Sequence, residues 1–90
     1  MANTKSAKKR IRQIRVRTLR NKIRKTMIRT AVRRFEDALQ RRDFEAAEMA
    51  LRFVYARLDR AAQKGAIHRN KAARRKSRLA LKLQRARAAS

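Results

Sequence analysis

Apolar residues recur every three or four positions through the first part of the chain: Val16, Leu19, Ile23, Met27, Ala31, Phe35 and Ala38, with Ile28, Val32 and Leu39 widening the stripe from Met27 onward. Such spacing returns to one side of an α-helix and predicts a single long helix from about Ser6 to Gln40. The stripe breaks at Arg41, Arg42 and Asp43. Asp43 has the short acceptor side chain that caps a helix N-terminus, and Glu45 falls in the first turn, where the helix dipole favours acid. A second helix is therefore predicted, with Phe44, Ala47, Leu51, Val54, Leu58 and Ala61 on its apolar side and Met49 and Phe53 beside it. Gly65 should end it as a C′ glycine. Ile67 and His68 then form a short connection. Asn70 is expected to cap a third helix carrying Ala72, Ala73, Leu79, Ala80 and Leu83, its stripe interrupted by Lys76.

Short turns between successive helices favour antiparallel neighbours. The expected fold is thus all-α, a three-helix antiparallel bundle with an overlong first helix. About 35 helical residues reach roughly 50 Å, whereas a compact domain of this size is only about 30 Å across, so the N-terminal end of the first helix should project as a basic arm. The reading is of one helical domain over residues 1–90, with the arm at 1–19, the bundle core at 20–83 and a tail at 84–90.

Charge changes this picture most. The chain has 29 Lys and Arg against 6 Asp and Glu, a formal net charge of +23. All the acids, Glu36, Asp37, Asp43, Glu45, Glu48 and Asp59, lie in the middle, so both flanking segments are purely basic. An ordinary solvated helix face alternates signs. Here Lys5/Lys9, Lys8/Arg12, Arg20/Arg24, Arg29/Arg33, Lys71/Arg75, Arg74/Arg78 and Arg78/Lys82 are like-charge pairs four residues apart, each costing a few tenths of a kcal/mol. The missing counter-charge implies a polyanionic partner.

Phe35, Phe44, Phe53 and Tyr55 all fall in the acidic middle, and neither basic segment holds an aromatic ring. Platforms for stacking single-stranded bases are absent there, which favours folded RNA held by phosphate, sugar and shape. The rings, with Met27 and Met49, read as core. On charge, Arg12, Arg15, Arg17, Arg20, Lys22, Arg24, Lys25 and Arg29 on the first helix and Arg75 and Arg78 on the third are RNA-binding candidates. The arm has cations on every side, so it is expected to be frayed alone and to become helical against RNA. An architectural, histone-like DNA-binding protein is the alternative, since it too would need no base readout.

Other chemistry finds little support. There is no cysteine, one histidine and one glycine, so a metal cluster, a thiol nucleophile and a glycine-rich phosphate loop are not expected. An enzyme, a cofactor, a small-molecule substrate and a homo-oligomer are not expected either. The apolar runs are far shorter than the roughly 20 residues needed to cross a bilayer, and a role at a membrane surface is disfavoured by charge on every side of the arm. The arginine-rich start superficially resembles a mitochondrial presequence, but it continues without a break into the predicted core helix.

The opening MANTKSAKKR (Met1 to Arg10), KTMIRTAVRRF (Lys25 to Phe35) and DRAAQKGAIHRNKAARRKSRL (Asp59 to Leu79) closely resemble the bacterial small-subunit ribosomal protein S20 family. The resemblance runs from Met1 to about Leu83, with Gly65, His68, Asn70, Lys71, Ala72, Ala73, Arg74, Lys76 and Ser77 in register. It implies a non-enzymatic three-helix bundle of the cytoplasmic ribosome that binds 16S ribosomal RNA near the bottom of the small subunit. It also implies early entry into assembly and other components of the small subunit as partners. In that family the basic N-terminal helix and the start of the third helix lie against RNA. At matching positions this implies Lys5, Ser6, Lys8, Lys9 and Arg10, and His68, Arg69, Asn70, Lys71, Arg74, Lys76 and Ser77. The sequence departs from the family pattern between Ile11 and Arg24 and again from Gln84 to Ser90.

Overall fold

Thr4 begins the first helix by taking the Ala7 N–H on its hydroxyl oxygen at 3.2 Å. From there the computed structural model, which describes residues 4–89, contains three helices: α1 (Lys5–Gln40), α2 (Phe44–Gln63) and α3 (Arg69–Ala88). Residues 1–3 of the expected arm and Ser90 of the expected tail lie outside the described residues. The molecule is the all-α bundle the periodicity predicts, with a first helix of 36 residues.

Both turns are built the same way. At the end of α1 the Arg42 N–H donates to the Leu39 carbonyl and the Asp43 N–H to the Ala38 carbonyl, each at 3.0 Å. At the end of α2 the Gly65 N–H donates to Ala62 at 3.1 Å and the Ala66 N–H to Ala61 at 2.8 Å. This paired closure is the Schellman motif, which needs a left-handed residue at C′. Gly65 supplies it at φ 78°, as expected, but the first turn uses Arg42 at φ 59°, a conformation that crowds the Cβ of an L-residue. Asp43 then caps α2 by accepting the Ala46 N–H at 3.2 Å. The cap of α3 corrects the sequence reading. It is His68, whose Nδ1 accepts the Asn70 N–H at 3.1 Å, so Asn70 lies inside the helix.

The core is a narrow seam. Ile28, Ala31, Val32, Phe35 and Ala38 of α1 meet Ala47, Leu51, Val54, Leu58 and Ala61 of α2, and α3 adds Ala72, Leu79 and Leu83. Five alanines in this set let the helix axes approach closely, because axial separation follows the side chains at the contact. Phe35, Leu58 and Val54 are the largest fully buried side chains.

Met27, Met49 and Phe53, read from the sequence as core, are 38%, 69% and 47% exposed, and Val16, Leu19 and Ile23 are exposed with them. Helical geometry explains the difference. Each step of four residues overshoots a full turn by about 40°, so the run Leu19, Ile23, Met27, Ala31, Phe35 rotates about 160° round α1. Its last members face α2 while its first face solvent. On α2, Phe53 and Met49 lie about 120° and 160° from the middle of the buried stripe.

Antiparallel pairing brings the end of α2 level with Asn21 of α1, and the helix before that point projects. The radius of gyration is 17.7 Å and the extents are 63 × 22 × 15 Å, against a radius of about 12 Å for a compact chain of this length.

Leu58→Ala is expected to lower the unfolding free energy by about 2–5 kcal/mol through the cavity it leaves. The two turns should respond in opposite senses to exchange of their left-handed residue. Arg42→Gly is expected to add up to about 1 kcal/mol and Gly65→Ala to remove about 1 kcal/mol. A Cβ at Gly65 meets no atom within 4 Å, so its cost is conformational alone. Urea unfolding of the variants measures all three.

Candidate nucleic-acid interface

α1 and α3 leave an open groove between them. Its floor is apolar, from Ile28 and Val32 on α1 together with Ile67 and Leu79. Its walls are cationic: Lys25 and Arg29 stand one turn apart on α1, and Lys71, Arg74, Arg75 and Arg78 line α3. Two adjoining hollows of about 430 and 200 Å³ make up the groove and share Lys71 and Arg75. Among the described residues these six cations have no carboxylate partner. Glu36 is the acid on the rim, and Lys82 holds it at 3.2 Å. Two of the like-charge pairs, Lys71/Arg75 and Arg74/Arg78, thus lie together along one concave strip.

A second basic hollow, of about 620 Å³, lies where the arm passes the end of α2. Arg12, Arg17, Arg20 and Arg24 line it from α1, with Lys64 facing them and no acid present. The Arg24 guanidinium also donates to the Asn21 side-chain oxygen at 3.4 Å. Lys64 is absent from the sequence-derived candidates. Its signal was its place just before the turn glycine, at the end of a helix antiparallel to the arm.

The remaining candidates divide. Lys5, Ser6, Lys8, Lys9, Arg10, Arg15 and Lys22 are exposed along α1, and Ser77 is exposed on α3. His68 and Arg69 line a shallow hollow at the turn before α3, while Asn70 gives its backbone N–H to the cap and is exposed. Lys76 points away from the groove. Its ammonium donates to the two Asp59 carboxylate oxygens at 3.0 and 3.2 Å and stands 5.1 Å from the centre of the Tyr55 ring.

Lys76 is one of three α3 cations that meet a carboxylate of another helix. Lys82 reaches Glu36 on α1, and Arg87 reaches Glu48 on α2 at 2.9 Å, where Arg52 also stands at 3.4 Å. These pairs are exposed or partly exposed, so they add little stability. Their larger effect is orientation, because pinning Lys76, Lys82 and Arg87 sets Lys71, Arg75 and Arg78 toward the groove. The hydrogen bond from Arg87 and the charges of Arg87 and Arg52 hold the Glu48 carboxyl below its ordinary pKa.

A family model described as ribosomal protein S20 matches residues 2–84. The chain is 54% identical over 83 residues, 92% of its length and 94% of the relative's, to the small ribosomal subunit protein bS20 of Clostridium acetobutylicum. It is 54% identical over 82 residues, 91% and 93% of the two chains, to the protein of the same description in Natranaerobius thermophilus. With that of Brucella canis it shares 52% identity over 84 residues, 93% and 96% of the two chains.

A carboxylate whose pKa falls on folding stabilises the folded state fully above its ordinary value, and that contribution is lost as the pH falls through the lowered one. Glu48→Gln should therefore be less stable than the parent at neutral pH. The gap should close as the pH is taken down from 4.5 through the lowered value. Thermal unfolding of both proteins across that range checks this.

Proposed function

This chain belongs to the ribosomal protein S20 family, and on that premise we propose that it is a structural constituent of the small ribosomal subunit that binds 16S ribosomal RNA directly and aids assembly. It acts in the cytoplasm as part of the ribosome, beside other components of the small subunit, and it is not an enzyme. The observation that carries the RNA-binding reading is the α1/α3 groove. Six cations that meet no carboxylate among the described residues line it above an apolar floor.

Such a groove suits a ridge of phosphates. Guanidinium groups on both walls can grip phosphate oxygens in pairs, and the ammonium groups of Lys25 and Lys71 add point charges. Binding removes the repulsion between like charges one turn apart and releases the counterions condensed on the RNA. Lys5, Ser6, Lys8, Lys9, Arg10, Arg12, Arg15, Arg17, Arg20, Lys22 and Arg24 extend the contact along the arm, whose helix gains stability once phosphates surround it. His68, Arg69, Asn70 and Ser77 continue it on α3, where Lys76 serves by holding the helix to Asp59. In this division residues 1–19 are the arm, 20–83 the bundle and 84–90 the tail. The protein works as one copy, since a second copy would bring the same net charge of +23.

Replacing both Lys71 and Arg75 by alanine should weaken binding to 16S ribosomal RNA and leave the unfolding transition in place, because both are exposed. The slope of log affinity against log salt, near −0.9 per neutralised phosphate by analogy with duplex DNA, should shrink by about 2. Unchanged affinity and slope would remove the groove from the interface. Equal affinity of the parent protein for random duplex DNA at matched salt would favour an architectural DNA-binding role.

A further inference from the structure

The side of α1 that packs on α2 continues beyond the end of α2. Ala31, Phe35 and Ala38 are buried on that side. At about 100° per residue they fall within an arc of about 60° round α1, and Arg17, Arg20 and Arg24 fall within the same arc nearer the N-terminus. Beyond the level of Asn21 the line of α2 is therefore faced by arginines, with no helix laid against them.

Lys64 closes this slot from the tip of α2. Its N–H donates to the Arg60 carbonyl at 3.0 Å, so the side chain leaves from a fixed point in the turn closure. With Arg12 these residues line the elbow hollow of about 620 Å³. Among the described residues none of these cations meets a carboxylate. The slot is distinct from the α1/α3 groove, because Lys25 and Arg29 lie about 130° round α1 from Arg17, Arg20 and Arg24.

The lining selects the occupant. Val16 is its one apolar side chain, so a protein helix has no stripe to bury there. Arginine forks take phosphate oxygens in pairs, and Lys64 adds a point charge opposite them. Without an anion these cations repel one another across the slot, and with one they are joined through it.

We infer that a stretch of RNA backbone runs along the arm in line with α2, in the place α2 vacates, and that Lys64 holds it there against Arg17, Arg20 and Arg24. This rests on the RNA-binding reading above and adds to it a path for the backbone and a contact from the mildly acidic middle helix. Phosphates at the elbow also tie the first unsupported turns of the arm to the bundle.

The full chain and its variants are titrated with 16S ribosomal RNA over a range of salt. Lys64 is exposed, so its variants should fold as the parent does, which urea unfolding verifies. Lys64→Ala is expected to weaken binding about tenfold and to reduce the slope of log affinity against log salt by about 1. Lys64→Arg, which keeps the charge, should hold both near the parent values. The losses from Lys64→Ala and Arg20→Ala should combine to less than their product, because both side chains grip one stretch of backbone. Those from Lys64→Ala and Lys71→Ala should multiply, because the two lie at separate sites. Parental affinity and slope in Lys64→Ala, beside weakened binding by the Lys71 and Arg75 double variant, would overturn the elbow path and leave the groove standing. Losses that multiply for Lys64 and Arg20 would overturn it as well. Parental affinity in both the Lys64 variant and the double variant would remove the groove reading together with the elbow.

Discussion

Burial of one face of α2 holds the molecule together. Ala47, Leu51, Val54, Leu58 and Ala61 are the surface on which α1 packs from one side and α3 from the other. The distribution of acids follows from that arrangement. Helix contacts are closest there, and a purely basic chain would also repel itself most strongly there. Placing the acids at the end of α1, the first turn and α2 lowers the local charge where the backbone must come together. Phe35 lies at the centre of this region because an aromatic ring buries a large area.

The cations of α3 are sorted by the same design. Those meeting acids across the seam fix how the helix is rolled about its axis, and Lys71, Arg74, Arg75 and Arg78 line the groove. Exposed ion pairs add little stability, so three of them along one helix matter chiefly through direction. A few carboxylates thereby leave a helix charged on several sides with one edge of unpaired cations toward the groove.

Much of this was legible in the sequence. Three-four spacing located the helices, Asp43 and Gly65 marked two of their ends, and the separation of basic from acidic segments marked the first and third helices as the cationic ones. What escaped has identifiable causes. A run of four-residue steps winds round its helix, so Leu19 and Phe35 share a spacing but not a face. Arg42 occupies a left-handed position that residue preference assigns to glycine, and His68 caps with an imidazole nitrogen where oxygen acceptors are usual. Lys64 joins the arginines of the arm only through the antiparallel register, which is a property of packing. For the same reason the sequence named Lys25, Arg29, Lys71 and Arg75 as cations without revealing that they face one another.

No glycine or proline interrupts α1 between Lys5 and Gln40, so the arm and the part of α1 packed in the bundle are one unbroken rod. An α-helix of this length bends only gently unless such a residue kinks it. A load applied near Lys8 is transmitted mechanically to the seam at Phe35, and the bearing of the arm fixes the bearing of the bundle. Whatever grips the tip therefore also aims the groove, and the two cannot be steered independently.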